Sequence, residues 1–163
     1  SLAAGYSASD SREYLALAYA GLGEKEKAVA NFEAALAAAA KAGGGRPELL
    51  LLAAARAQLD AGAGERAESL LLEAVAGARD ELVREKCRFL LGEIYRSRGE
   101  GAREEEQYVL VLEKDPESAE AHYRLGLLYQ ERGDPIRARS EWRKAVALDP
   151  MHSLARQKLS ERL

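Results

Sequence analysis

The chain has 163 residues, with 32 Ala and 25 Leu against six Val, two Ile and no Thr. That is poor in the β-branched side chains that suit a pleated sheet and rich in good helix formers. Charged residues at 31% and apolar ones at 47% exclude a disordered chain, and the net charge of −3 gives no overall attraction for nucleic acid or an anionic membrane.

Cys87 is the lone cysteine, so an internal disulfide is excluded, and no Cys/His cluster has metal-ligand spacing. Cysteine usage suits a reducing compartment and equally the bacterial periplasm. No apolar run exceeds the length of Ala34–Ala40, far short of the ~20 residues of a spanning helix. A soluble protein, cytoplasmic or periplasmic, without membrane insertion is expected. The start at Ser1-Leu2, without an initiator Met, fits a mature form or a fragment of a longer polypeptide.

Hydrophobic periodicity and turn signals predict helices, in chain order, over 9–22, 25–41, 47–61, 64–78, 81–98, 101–114, 117–132 and 135–148. Gly43-Gly44-Gly45-Arg46 reads as a spacer after the second helix. It lacks the Lys-Ser/Thr of a phosphate loop, and no strand precedes it. Asp115-Pro116 and Asp149-Pro150 stop the sixth and eighth helices, because proline disfavours the α conformation in the residue before it. The tail carries Ala155, Leu159 and Leu163 at four-residue intervals, one face of a last helix.

The segment 119–152 holds His122-x-x-Leu125-Gly126-x-x-Tyr129, then Gly133, Ala138-x-x-x-Trp142, Ala145 and Pro150. Thirty-four residues earlier the frame recurs as Leu91-Gly92-x-x-Tyr95, Gly99, Tyr108 and Pro116. Weaker copies precede them: Gly62, Ala67, Leu71 and Ala74, and before these Tyr19, Gly23, Ala28, Phe32 and Ala35. This frame resembles the tetratricopeptide repeat, a 34-residue helix–turn–helix.

The resemblance implies an all-α solenoid, a right-handed superhelix of about four repeats forming a single domain over 1–163. The repeats fall at 9–42, 48–81, 85–118 and 119–152, with a C-terminal capping helix over 153–163. Leu2 lies where a preceding repeat would place an apolar residue, but one residue is thin support and an unstructured head is expected. His122 takes the place of a large packed residue, His152 has no partner in sequence, and Cys87 reads as a small buried hydrophobe. Glu104 falls where the family packs a small residue. Either the second helix is shifted or splayed there, or Glu104 reaches a cation such as Arg96 or Arg98; since burying it bare is costly, the expectation is local distortion with the carboxylate at the rim.

The resemblance also implies a function: a protein–protein interaction scaffold with no catalysis, metal or cofactor of its own. A peptide, helix or protein partner would bind the concave face formed by the first helices. Carried onto this chain, that face holds Glu13, Leu17, Leu52, Arg56, Phe89, Glu93, Arg96, Tyr123, Leu127 and Gln130. Leu52, Phe89 and Tyr123 form an apolar ridge flanked by Arg56 and Arg96, which would fix polar or acidic groups at its rim. Residues 119–163 carry +3 while 48–84 and 85–118 carry −3 each, an ordinary spread for a solvated surface. The Lys/Asn set of the subtype that clamps chaperone tails is missing, since Glu13, Leu17 and Arg56 stand in its place and Asn31 is the one Asn of the chain. Mixed charge along the face argues against an RNA-binding array. The Arg-over-Lys bias and abundant Ala suggest a bacterial protein that helps assemble a larger complex. The alternative is a homo-oligomerisation or spacer domain of a longer polypeptide.

Overall fold

The structure, a computed structural model, describes residues 8–43 and 47–161. Among them run nine α-helices and no strand. They are α1 Ala8–Gly21, α2 Lys25–Lys41, α3 Glu48–Asp60, α4 Gly64–Gly77, α5 Glu81–Ser97, α6 Gly101–Leu112, α7 Ala119–Glu131, α8 Pro135–Leu148 and α9 Ser153–Ser160. Leu2, Gly44, Gly45, Arg46 and Leu163, on which parts of the sequence reading rest, lie outside the described residues. Helices α1–α8 end within two residues of the expected bounds. The later start of α7 has a local cause, because Ser118 accepts the Ala121 N–H at 3.3 Å and caps the helix there. The chain divides into two compact units, Ser1–Cys87 and Arg88–Leu163, with the division inside α5.

Four turns have one construction. Gly23, Gly62, Gly99 and Gly133 adopt φ of 75°, 80°, 72° and 75°, the left-handed region that costs glycine least. In each, the following N–H returns to a carbonyl five residues back: Glu24 to Tyr19, Ala63 to Gln58, Glu100 to Tyr95 and Asp134 to Tyr129, at 2.8–2.9 Å. The glycine N–H bonds the carbonyl three residues back. This is the Schellman ending, which satisfies carbonyls that a helix terminus otherwise leaves open.

In the first unit, α1 packs on α2, α2 on α3 and α3 on α4. Ala28, Ala35, Ala67 and Ala74 are at most 1% exposed, as small residues must be where helices press together. Phe32, Leu36, Leu50, Leu51, Leu70 and Leu71 fill the space around them, and Cys87 is fully buried as expected. A polar tie reaches across three helices. Glu33 on α2 accepts from Arg66 Nε and Nη2 on α4 at 2.8 and 2.7 Å, and from Gln58 Nε2 on α3 at 3.0 Å.

In the second unit the close contacts are glycine against aromatic. A Cβ on Gly126 would lie 2.2 Å from Trp142 Nε1, and one on Gly92 would lie 2.5 Å from the Tyr108 ring. Trp142 is fully buried and its Nε1 donates to the Tyr123 carbonyl at 3.2 Å. Tyr108, Leu125 and Leu128 form a core against which Phe89, Leu112 and Tyr129 pack. Glu105 on α6 accepts from Tyr129 Oη at 2.8 Å and Arg132 Nη1 at 2.6 Å on the α7 side. Helix α9 lies against α8 with Ala155 fully buried. Arg139 on α8 donates to the Leu159 and Glu161 carbonyls at 3.0 and 3.2 Å, closing the C-terminal end of α9.

Glu104 corrects the sequence reading. Helix α6 runs without interruption through it, and the residue is 2% exposed, so it sits in the interior and not at a rim. Burial pushes its carboxyl above the usual range, opposed by the charge of Arg96 and a hydrogen bond with Tyr108. The carboxylate is tolerated because it is partnered inside the fold.

Two measurements test these contacts. Gly126→Ala should cost about 1–3 kcal/mol of unfolding free energy by forcing the Trp142 ring aside. Gly77→Ala, with nothing within 4 Å of its Cβ, should cost nothing measurable. Because the folded-state pKa of Glu104 is raised, protonation favours the folded state, and that contribution fades as pH rises through the folded pKa. Glu104→Gln should therefore gain stability relative to the parent as pH climbs from about 4 towards neutrality. A constant difference across urea melts in that range would contradict the burial account.

Candidate functional site

The first unit contains a cavity of about 310 Å³ where α1 and α3 open above Phe32. Leu17 and Ala20 line it from α1, and Leu49, Leu52, Ala53, Arg56, Ala57 and Asp60 from α3. The sequence-derived residues Leu17, Leu52 and Arg56 thus meet in one place. Leu17 is 48% exposed, whereas Leu52 is only 8% exposed and acts as a wall of the cavity. Glu13, one turn before Leu17, is half-buried and does not line it.

The second unit has a cavity of about 290 Å³ of different chemistry. Its walls are Glu93 and Arg96 from α5, Tyr108 from α6, Glu120, Tyr123, Arg124 and Leu127 from α7, and Leu154 from α9. Glu93, Arg96, Tyr123 and Leu127, selected from sequence, are brought together here. Phe89 and Gln130 are not in the lining. Phe89 lies against Tyr108 with centroids 6.2 Å apart, and the Arg124 guanidinium sits over the Phe89 ring, 4.9 Å from its centroid. It supports the site from below.

The arginines are already engaged. Arg96 Nε donates to Glu131 Oε1 at 2.8 Å, and its Nη2 bonds the same oxygen. Arg124 donates to Glu120 Oε1 at 2.5 Å and to Glu93 Oε1 at 2.7 Å. Burial opposes the charge on Arg124, but these two carboxylates outweigh it and hold its pKa above the usual guanidinium value. Burial also pushes the Tyr108 phenol up to about 12, so it remains a neutral hydroxyl at the cavity wall.

Arg124, Tyr108, Leu154 and His152 were not selected for this face from sequence, whereas Glu120 falls on it by its repeat position. The Glu120–Arg124 pair is one helical turn apart, a spacing that signals contact. Nothing in sequence points to His152. Its ring lies 4.9 Å from that of Tyr123, its Nε2 is 3.3 Å from Glu120 Oε2, and its Nδ1 accepts the Ala155 N–H at the start of α9. His122 is bound to Glu141 at 2.7 Å and largely covered. Among the described residues no group of three His, Cys, Asp or Glu could hold a metal ion, and no helix is long and apolar enough to cross a membrane.

Residues 119–152 and 15–41 each match a family model described as tetratricopeptide repeat. Solved structures share the fold. YrrB, described as a tetratricopeptide repeat protein with an unusual peptide-binding site, is 23% identical with a TM-score of 0.74, over 92% of this chain and 73% of its own. A tetratricopeptide repeat protein from Parabacteroides merdae is 20% identical with a TM-score of 0.78, over 92% of this chain and 57% of its own. MamA from Desulfovibrio magneticus is 18% identical with a TM-score of 0.73, over 93% and 81%. No curated protein matches the sequence. The repeated glycine turns, the small-against-large helix contacts and these matches agree, and the chain belongs to the tetratricopeptide repeat family.

Proposed function

We propose that this chain is a protein–protein interaction scaffold whose repeats, at 9–42, 48–81, 85–118 and 119–152, hold a partner segment on their first helices. The observation that carries the reading is that both units open a cavity of about 300 Å³ on those helices. A merely solvated face has no reason to be hollow or to keep Leu17, Leu52, Tyr123 and Leu127 there. Cavities of this size accept anchoring side chains, and a few such anchors dominate binding energy. The family's repeats and the peptide-binding description of YrrB support a protein or peptide partner, in keeping with assembly of a larger complex. The chemistry of the lining, paired Arg and Glu with apolar walls, is suited to recognition, and the scaffold has no catalytic step of its own.

Photo-crosslinking tests it. A benzoylphenylalanine placed at Leu17 or Leu127 should capture a partner in cells, and one at Glu65 or Glu106, exposed on second helices, should not. Leu127→Glu should weaken that capture by about tenfold or more, the loss of one buried anchor. Capture from the second helices alone would sink the proposal. An adduct of twice the chain mass from Leu17 would point to homo-oligomer contacts instead.

A further inference from the structure

Helix α1 differs from later first helices in what it leaves uncovered. Counted from the repeat starts proposed above, the third, seventh and tenth residues are Leu50, Ala54 and Ala57 on α3, and Ala121, Leu125 and Leu128 on α7. At spacings of four and three they form one stripe along each helix, and all six are at most 5% exposed. The second helix of the repeat before packs there, α2 on α3 and α6 on α7. In the second unit Tyr108 of α6 joins Leu125 and Leu128 in one cluster, and Leu112 packs against it. On α1 the same stripe is Ser11, Leu15 and Ala18, and all three are exposed, Leu15 by 49%. Leu22, four residues past Ala18, extends it and is 73% exposed.

Helix α9 shows what a closing helix looks like. It buries Ala155, its own third residue, against α8, and its exposed residues are polar apart from Leu154, which lines the cavity of the second unit. A terminal helix with a polar outer surface is what a repeat stack needs at its end. Helix α1 has the opposite character, with Ala16 as its one buried residue and Tyr14, Leu15 and Leu17 about half-exposed or more. Leu17 and Ala20 serve the cavity of the first unit, whereas Ser11, Leu15 and Ala18 are no part of its lining.

We infer that the α1 stripe is a repeat–repeat interface, covered in the natural polypeptide by the second helix of a preceding repeat. That helix would present large apolar residues at the spacing of Tyr108, Val111 and Leu112, which meet the equivalent stripe on α7 or lie buried beside it. The register of the sequence agrees: Leu2 stands seven residues before Ser9, as Leu112 stands seven before Ala119. A second copy of the chain is a poorer source, because α2, α6 and α8 are each already packed against the helix that follows. The interface lies on a different side of α1 from the cavity, so it stands whether or not the cavities hold a partner.

The test compares this chain with the full natural polypeptide, each carrying Leu15→Cys or, on the cavity side of the same helix, Leu17→Cys. Labelling by a small maleimide is timed at each site, and the fully buried Cys87 reports an intact fold by staying unlabelled. Leu15→Cys should label about tenfold or more slowly in the full polypeptide than in the 163-residue chain, the protection of a packed helix face. Leu17→Cys should label at similar rates in both. Equal rates for Leu15→Cys would overturn the inference, and so would a natural polypeptide with no helix-forming segment ahead of Ser9. Protection already present in the 163-residue chain and rising with its concentration would assign the face to a second copy and overturn it too. If a substitution unfolds either protein and exposes Cys87, hydrogen exchange of the α1 amides in the unsubstituted proteins decides. Slower exchange in the full polypeptide is expected, and equal exchange overturns the inference.

Discussion

Each helix pair depends on one steric complement, a small residue on the first helix opposed to a large one on the second. In the second unit the complement is extreme, because Gly126 admits Trp142 and Gly92 admits Tyr108 at distances that no Cβ would allow. Ala16 with Phe32 and Ala55 with Leu71 stand at the same sixteen-residue separation in the first unit, and all four are at most 2% exposed. Smaller second-helix residues go with alanine and the largest with glycine. Close-packed interiors tolerate little volume error, so the pair of positions must vary together.

With the interior of each pair filled by this complement, the remaining alanines set how near neighbouring helices can come. Polar ties then fix orientation: Glu33 to Gln58 and Arg66 in the first unit, Glu105 to Tyr129 and Arg132 in the second. Such partly buried, hydrogen-bonded pairs constrain geometry more dependably than they add stability. Both cavities open on the first helices.

Much of this was legible in the residues, and the losses have identifiable causes. Turn glycines, interior alanines and the Gly–aromatic pairs follow from local sterics, so their positions could be read from a repeating frame. Leu52 and Phe89 were placed on an exposed ridge, but Leu52 became a cavity wall and Phe89 a platform under Arg124. Spacing says which side of a helix a residue is on, and it does not say how deeply the next helix covers it. Glu104 was expected at a rim because a bare buried carboxylate is costly. It is buried instead, and Arg96, which the sequence offered as a partner, together with Tyr108 and Arg132 opposes the cost of that burial. His152 was invisible because its contacts, Tyr123 and Glu120, stand at the far end of the same repeat, on α7, where no local spacing links them to it.

By itself, the sequence determined the all-α class, the helix boundaries, the Schellman turns and the family frame. These depend on interactions within about five residues, or on a repeat register that one pattern imposes. Tertiary structure alone decided which carboxylate each arginine holds, how far Leu52 and Glu104 are buried, and that Tyr123, Leu127 and Leu154 enclose a space. Ion pairs between separate helices depend on where long side chains end, several rotatable bonds from the backbone. Pattern fixes the start of a side chain, and packing fixes its tip.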